Sequence, residues 1–340
     1  MFDVHAHLHD EAFVGDRDAT VDRARAVGLE DIVTIGTDPE ENRRAVACAE
    51  AYPDVWASVG LHPHFFDEEY RIWNEEYGGK IPVRNETEKE SPIQYSTFDI
   101  LFGDKGRIRE YVAQLRKVAE SSSKVIAIGE CGLDYYRRQS ADSNQQETIT
   151  EEQKAFQREG FLAQIAIAED LGLPLIVHTR PSLGSMPARN DPQAKRSDSG
   201  GDAYEDVFLI LKSKITARPA GGKNLKSVVL HCYMGDLSVT EKFLSLPGVH
   251  FSFTGNITYK VKEGSDRDET LRMIPIERML SETDCPYLAP VPYRGQRNEP
   301  AYVAEVVRRI ALMQQMTYTE AEEQIGINTR RVFPRMFETV

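Results

Sequence analysis

The chain has 340 residues, with 41 Lys+Arg against 54 Asp+Glu, a formal net charge of −13 and a 41% hydrophobic fraction. That mix is ordinary for a globular protein and too apolar for a disordered one, and there is no apolar run of roughly 18 residues to span a bilayer. An acidic balance argues against a broad electrostatic footprint on duplex nucleic acid, which needs a basic face, and by itself favours a small-molecule enzyme. The start, Met1-Phe2-Asp3-Val4-His5, carries no cationic apolar leader, so the expected location is cytoplasmic, with no membrane and no obligate protein partner. Cys48, Cys131, Cys232 and Cys285 lie far apart with no C-x-x-C pair. All four are expected to be reduced, forming neither a disulfide framework nor a zinc ribbon.

Short β-branched apolar runs predict strands at Phe2–Leu8, Asp31–Thr37, Val55–His62, Lys124–Gly132, Pro174–Thr179, Ser227–Tyr233, Val249–Gly255 and Met279–Asp284. Between them, helical spacing with charged faces predicts helices at Asp16–Val27, Glu40–Tyr52, Arg107–Ser121, Glu151–Leu171, Asp202–Lys214, Ser238–Leu246, Asp268–Ile274 and Pro300–Gln315. Strands alternating with helices imply βαβ units and a parallel sheet. Eight units fit an α/β fold of the closed (β/α)8 TIM-barrel kind. No Gly-rich phosphate loop follows the first strand, which weakens the Rossmann alternative. A barrel needs roughly 250 residues, leaving about 90 surplus. They are assigned to polar excursions at about 78–106, after strand 3, and about 181–201, after strand 5, to a short basic stretch at 214–226, and to a further C-terminal helix over Thr319–Phe337. Neither excursion has the apolar content for a core of its own, so residues 1–340 are expected to form a single domain.

Five strands end in metal-capable side chains: His5 and His7 on strand 1, Glu130 on strand 4, His178 on strand 5, His231 on strand 6 and Asp284 on strand 8. Alternate strand residues face one way, so both histidines of His5-Ala6-His7 can point into the barrel mouth, where barrel enzymes keep their chemistry. Any one of these residues alone reads equally as a hydrogen-bonded core histidine, a helix cap or an ion-pair member. Six on one rim point to two divalent ions with one bridging carboxylate. The mixed imidazole and carboxylate set suits Zn, Mn or Mg.

The order of these ligands resembles the amidohydrolase superfamily. Glu130, within A-I-G-E-C-G-L-D-Y-Y, stands where many of its members carry a carboxylated lysine. The chain thereby resembles the TatD family of metal-dependent deoxyribonucleases, as do F-D-x-H-x-H-L at the start, S-V-G-L-H-P-H at 58–64, E-T-D-C-P-Y-L-A-P at 282–290 and R-G-Q-R-N-E-P at 294–300. The two excursions depart from the usual pattern. The resemblance implies that His5, His7, Glu130 and Asp284 hold one ion, and that the bridging Glu130 holds the other with His178 and His231. Asp284 would act as general base.

Glu282, two residues before Asp284, is expected to orient a metal-bound histidine, and Asp3 to stand likewise behind His5. His62 and His64 are assigned to substrate contact, with a turn set by Pro63 as the structural alternative. His9 is read as solvated or capping and His250 as structural. Arg137, Arg138, Arg180, Arg294 and Arg297, with Asn298, lie near one mouth and are expected to meet phosphates. Tyr135, Tyr136 and Phe65 either stack on bases or pack the rim. The resemblance implies an exonuclease acting on single-stranded DNA ends. The alternatives are a dimetal hydrolase of another bond, such as a D-aminoacyl-tRNA ester or an amide, and a non-catalytic nucleic-acid-binding barrel.

Overall fold

In the computed structural model, residues 1–67, 107–137, 149–182, 202–216, 225–261 and 264–338 are described. The excursion at 78–106, residues 183–201, residues 217–224 and Arg138 lie outside them. Among the described residues the eight expected strands are present: β1 Phe2–Ala6, β2 Asp31–Ile35, β3 Val55–Val59, β4 Val125–Asp134, β5 Leu175–Arg180, β6 Val228–Leu230, β7 Val249–Phe253 and β8 Met279–Ser281. They form one parallel sheet in chain order. It curls into a TIM barrel, because the ends of β1 and β8 meet again: His7 N–H donates to the Cys285 carbonyl and Asp284 N–H to the His5 carbonyl, both at 2.8 Å.

The helices are α1 Arg17–Ala26, α2 Pro39–Ala51, α3 Arg107–Ser121, α4 Glu151–Leu171, α5 Asp202–Thr216, α6 Leu237–Leu244, α7 Arg267–Met273, α8 Val303–Gln314 and α9 Tyr318–Val332. Their ends follow local chemistry. Asp38 caps α2 ahead of Pro39, and Thr150 with Gln153 forms a capping box on α4, each satisfying backbone N–H groups that have no helical partner. Gly172 ends α4 in the left-handed conformation, as helix C-termini commonly do. No helix of the described residues is long and apolar enough to cross a membrane.

Two apolar cores result. One lies between strands and helices. The other fills the barrel interior with Val4, Val33, Ile35, Ile126, Ile176, Val229 and Leu280. Phe2, Val332, Phe333 and Met336 belong to this inner cluster, so the C-terminal extension contributes to the barrel's core. The polar site occupies the opposite, C-terminal end.

Several strand ends differ from expectation, for reasons that matter to the site. β6 and β8 stop short at Leu230 and Ser281, because Cys232 (φ 46°) and Asp284 (φ 57°) are left-handed and cannot continue an extended ladder. β4 runs two residues further, to Asp134, which pairs with Arg180 of β5. In β1 the register slips between Asp3 and Ala6. Val4 therefore joins the interior apolar cluster while the next residue, His5, still reaches the polar centre. Such a bulge re-aims a side chain beside a site.

Candidate metal centre and its rim

Glu130 is the middle of the site. Its approach requires glycine on both sides: a Cβ on Gly129 would lie 2.5 Å from the Ile176 carbonyl oxygen, and one on Gly132 only 2.1 Å from the His178 oxygen, both at positive φ. Around the carboxylate, His5 Nε2 lies 3.5 Å from Oε2, His231 Nε2 3.8 Å from Oε1 and His178 Nδ1 2.8 Å from Oε1. Asp284 Oδ1 lies 3.5 Å from His7 Nε2, 3.7 Å from His5 Nε2 and 3.8 Å from His231 Nε2. The rings of His5 and His231 stack at 3.5 Å.

Separations of 3.5–3.8 Å are too long for hydrogen bonds. They suit two donors sharing one cation, since bond lengths near 2.1 Å at a tetrahedral ion place ligand atoms about 3.4 Å apart. Among the described residues, three donor triads fall within 4.8 Å: His5–Glu130–His231, His5–His7–Asp284 and His62–Glu130–His178. This grouping differs from the one implied by the family resemblance: His231 stands with His5, and His178 with His62.

Ring tautomers sort these donors further. His7 Nδ1 donates to the Ile35 carbonyl at 3.0 Å, leaving the Nε2 lone pair toward Asp284. His231 Nδ1 is 2.9 Å from Glu282 Oε1, the oxygen that accepts from Cys232 N–H at 2.7 Å, and this pairing turns His231 Nε2 to the centre. His5 is fully buried and neither ring nitrogen has a hydrogen-bond partner among the described residues. An imidazole so placed is costly unless something binds it, and a cation fits. His62 behaves otherwise. Its Nδ1 accepts from His64 N–H at 3.2 Å, so its proton sits on Nε2, which faces Glu130 at 3.7 Å. A protonated nitrogen donates hydrogen bonds and cannot ligate, so the third triad is a hydrogen-bonding one.

The electrostatics are those of a crowded, largely buried site. Burial opposes ionisation of Glu130 more than any other single influence, yet His231, His178 and His5 together hold its carboxyl well below the usual range. Asp284 is likewise held low against its burial, by His7 first and then His231 and His5. Burial would discharge His178, but Asp134 and Glu130 push it up to about 9; His231 rises to about 10 against the same burial through Glu282 and Glu130. Both must release a proton to take up an ion.

Sequence reasoning missed Asp134. This buried carboxylate is 3.1 Å from His178 Nε2 and 3.2 Å from His64 Nε2. Its signal was its place four residues after Glu130 on one strand. Asp3 meets the His5 backbone, Oδ1 accepting from the His5 N–H at 3.4 Å, and not the His5 ring. It accepts from the Thr283 hydroxyl at 2.6 Å and the Thr283 N–H at 2.9 Å, bracing the β8 exit; burial raises its pKa to about 8. His9 is buried between the Thr34 hydroxyl and Glu41. His250, buried at the start of β7, is 3.1 Å from the Gly248 carbonyl.

The rim cations divide into two kinds. Arg297 makes two parallel bonds to Asp16, at 2.7 and 2.8 Å, and a third to the Ala12 carbonyl. Arg137 pairs with Asp67 at 2.8 Å. Asn298 is fully buried, its amide donating to the Thr283 and Tyr287 carbonyls at 2.8 and 2.6 Å. Arg297 and Asn298, expected to touch substrate, are thus committed to the protein itself. Arg180 and Arg294 instead lie over the rings of Tyr136 and Tyr259, each 3.8 Å from the ring centre, with no ion pair among the described residues. Stacking leaves the guanidinium N–H edge available.

Of the aromatics, Phe65 packs on Tyr111, and Tyr135 is buried with its hydroxyl donating to Asp206 at 2.7 Å. Tyr287, not singled out from the sequence, is 57% exposed beside His7, with ring centres 6.1 Å apart. None of the four cysteines is disulfide-bonded.

Comparison with known proteins agrees with this fold and chemistry. The family model described as TatD related DNase matches residues 2–334. A Bacillus subtilis protein named "Uncharacterized metal-dependent hydrolase YabD" is 31% identical over 333 residues, covering 98% of each chain. An Erwinia tasmaniensis protein named "3'-5' ssDNA/RNA exonuclease TatD" is 30% identical over 338 residues, covering 98% of this chain and 99% of its own. Among solved structures, the TatD homologue YjjV of Escherichia coli superposes with a TM-score of 0.68 at 23% identity over 98% of each chain. An uncharacterised amidohydrolase of Saccharomyces cerevisiae gives 0.71 at 16%, over 98% of this chain and 99% of its own; both show the barrel. With a match across nearly its whole length and the carboxylate-centred histidine cluster at the mouth of its barrel, this chain belongs to the TatD family of metal-dependent hydrolases.

Proposed function

We propose that the chain, acting as one domain, is a nuclease that hydrolyses phosphodiester bonds at the ends of single-stranded DNA, using two divalent ions. The observation that carries the reading is the convergence of His5, His7, His231 and Asp284 on Glu130 with one lone pair or oxygen from each directed inward. His5, His7 and Asp284 would hold one ion. Glu130, His231 and His178 would serve the other, with Glu130 as the shared oxygen donor. Such ions supply an activated water near neutral pH and offset charge on the phosphoryl group.

The protein's own groups do the rest. Asp284, held ionised, accepts the proton of the attacking water. His62 offers its Nε2–H to a non-bridging phosphate oxygen, and His64, oriented by Asp134, stands next to it. Glu282 keeps His231 in the tautomer that faces inward. Arg180 and Arg294 present free N–H edges to flanking phosphates, and Tyr287 offers an exposed ring for a base to stack on. The acidic overall balance fits an end-directed grip of few phosphates better than a long footprint.

The test is turnover of end-labelled single-stranded DNA with Mg, Mn or Zn, with and without EDTA, alongside RNA, charged D-aminoacyl-tRNA and simple esters, with metal content measured on the same protein. Metal-dependent release of mononucleotides from single strands, and about two ions per chain, is expected. Turnover of an aminoacyl ester with inert DNA would replace this reading by another dimetal hydrolase.

A further inference from the structure

Asp134 holds two histidines with one oxygen. Its Oδ2 lies 3.1 Å from His178 Nε2 and 3.2 Å from His64 Nε2, while Oδ1 accepts from the Tyr136 N–H at 2.9 Å. Its backbone is pinned as well: the N–H donates to Gln157 Oε1 and the carbonyl accepts from Gln157 Nε2, both at 2.9 Å. Burial opposes ionisation of this carboxyl, and the bonds to His178 and His64 override it, holding it well below the usual range. An ionised carboxylate only accepts, so His64 presents Nε2–H to it and keeps Nδ1 for another partner. Nδ1 has no hydrogen-bond partner among the described residues, and the side chain is 58% exposed against 16% for His62. A substrate at the mouth can reach it.

The place of this pair in the barrel decides what it can do. Asp134 ends β4, and Asp284 follows β8. In a closed eight-stranded sheet running in chain order, β4 and β8 stand across the mouth from one another. The centre lies between them. Asp284 Oδ1 is 3.7 Å from His5 Nε2, which is 3.5 Å from Glu130 Oε2. Glu130 Oε1 reaches on to His178 at 2.8 Å, and His178 to Asp134. Displacement at phosphorus brings the attacking and leaving oxygens roughly into line. A water that gives its proton to Asp284 therefore expels the leaving oxygen toward β4, the side where His64 stands. The neighbouring cations cannot donate there. Arg180 never gives up its proton, and Arg137 is paired with Asp67 at 2.8 Å. The Nε2–H of His62 faces Glu130.

From this geometry we infer that His64, held by Asp134, is the general acid that protonates the leaving sugar oxygen. As the bond from the water oxygen to phosphorus forms, the bond from phosphorus to the sugar oxygen breaks. The electron pair of the broken bond takes the proton of His64 Nδ1, and Asp284 takes a proton of the water. Solvent then restores both groups, which the exposure of His64 permits. Asp134 is a positioning residue: a carboxylate behind an imidazole fixes its orientation and offsets the charge of the protonated ring. The inference rests on the nuclease reading and adds to it the fate of the leaving group.

The experiment compares two phosphodiesters that differ in that group. One is a single-stranded oligonucleotide, whose sugar oxygen needs a proton as it departs. The other is bis(p-nitrophenyl) phosphate, whose p-nitrophenolate departs as the anion. His64→Ala should lower kcat about a hundredfold on the oligonucleotide, within the range a general acid contributes, and only about threefold on the ester, with metal content unchanged. The ratio of the two kcat values separates proton donation from misfolding or a lost phosphate contact, since either of those lowers both. Asp134→Asn should lower this ratio about tenfold by itself and less than about twofold when His64→Ala is already present, as expected of a residue that acts through another. Equal losses on the two substrates, no loss on the oligonucleotide, or a lost ion in His64→Ala overturns His64 as the acid. A ratio that falls as far in the double variant overturns the role of Asp134. Wild type that hydrolyses the ester but no oligonucleotide overturns the nuclease reading and the general acid together.

Discussion

The two sides of the barrel mouth carry similar polar side chains and use them in opposite ways. On the side where β8 returns to β1, the polar groups are consumed by the protein. Arg297 clamps Asp16, Arg23 clamps Glu299 at 2.6 Å, Asn298 holds two buried carbonyls, and Asp3 holds Thr283. On the side of β6 and β7 the Thr270 hydroxyl and Asn256 Oδ1 have no hydrogen-bond partner among the described residues, and Arg294, stacked on Tyr259, makes no ion pair among them. Between them lies the centre, whose His5 is likewise without a hydrogen-bond partner. Partnered groups report how the loop after β8 is fixed; at the centre the unpartnered His5 ring is where a cation fits. Removing a partnered group should cost stability first, and removing an unpartnered or ligating one should cost function first.

Glu130→Gln gives the largest expected separation of the two effects. It removes the central charge without changing shape, and should lower kcat/KM by about three orders of magnitude, the scale seen when a charge-stabilising group at a reacting centre is lost. Metal content should fall from about two ions toward one or none. Activity within tenfold of wild type would move the chemistry away from this carboxylate.

Asn298→Ala should act in the other direction. Two buried carbonyls lose their donor, at about 2–3 kcal/mol in unfolding free energy, read by denaturant titration. Activity should fall only in proportion to the misplacement of Tyr287. If stability holds while KM rises steeply, the amide belongs to the substrate after all.

Asp16→Asn is the gentlest test. Its pair with Arg297 is half-exposed, and breaking it should cost at most about 1 kcal/mol, with the KM for single-stranded DNA within twofold of wild type. A tenfold drop in KM would mean that Arg297, once released, turns to phosphate, and that Asp16 restrains it.

Much of this architecture was legible in the chain. Periodicity and β-branched runs located all eight strands, because each is a short buried segment whose signal is local. The residues of the centre were legible for a related reason: barrel chemistry lies at strand ends, so His5, His7, Glu130, His178, His231 and Asp284 appear in strand order at predictable places. Strand ends were less legible where Cys232 and Asp284 adopt left-handed backbone, a conformation imposed by packing at the rim. Asp134 escaped notice because its one local mark, a place four residues after Glu130 on the same strand, says nothing of its reach to His178 and His64 on two other elements.

Thus the sequence by itself determined the eight-unit barrel and which side chains face its mouth, since both follow from periods of a few residues. Only the tertiary structure decided what those side chains do. Asp3 went to Thr283 and to the His5 backbone rather than to the His5 ring, and Asp16, 281 residues from Arg297, drew that guanidinium into an ion pair. Donor and acceptor meet there through closure of the barrel, which joins the first strand to the last, and no local pattern encodes that meeting.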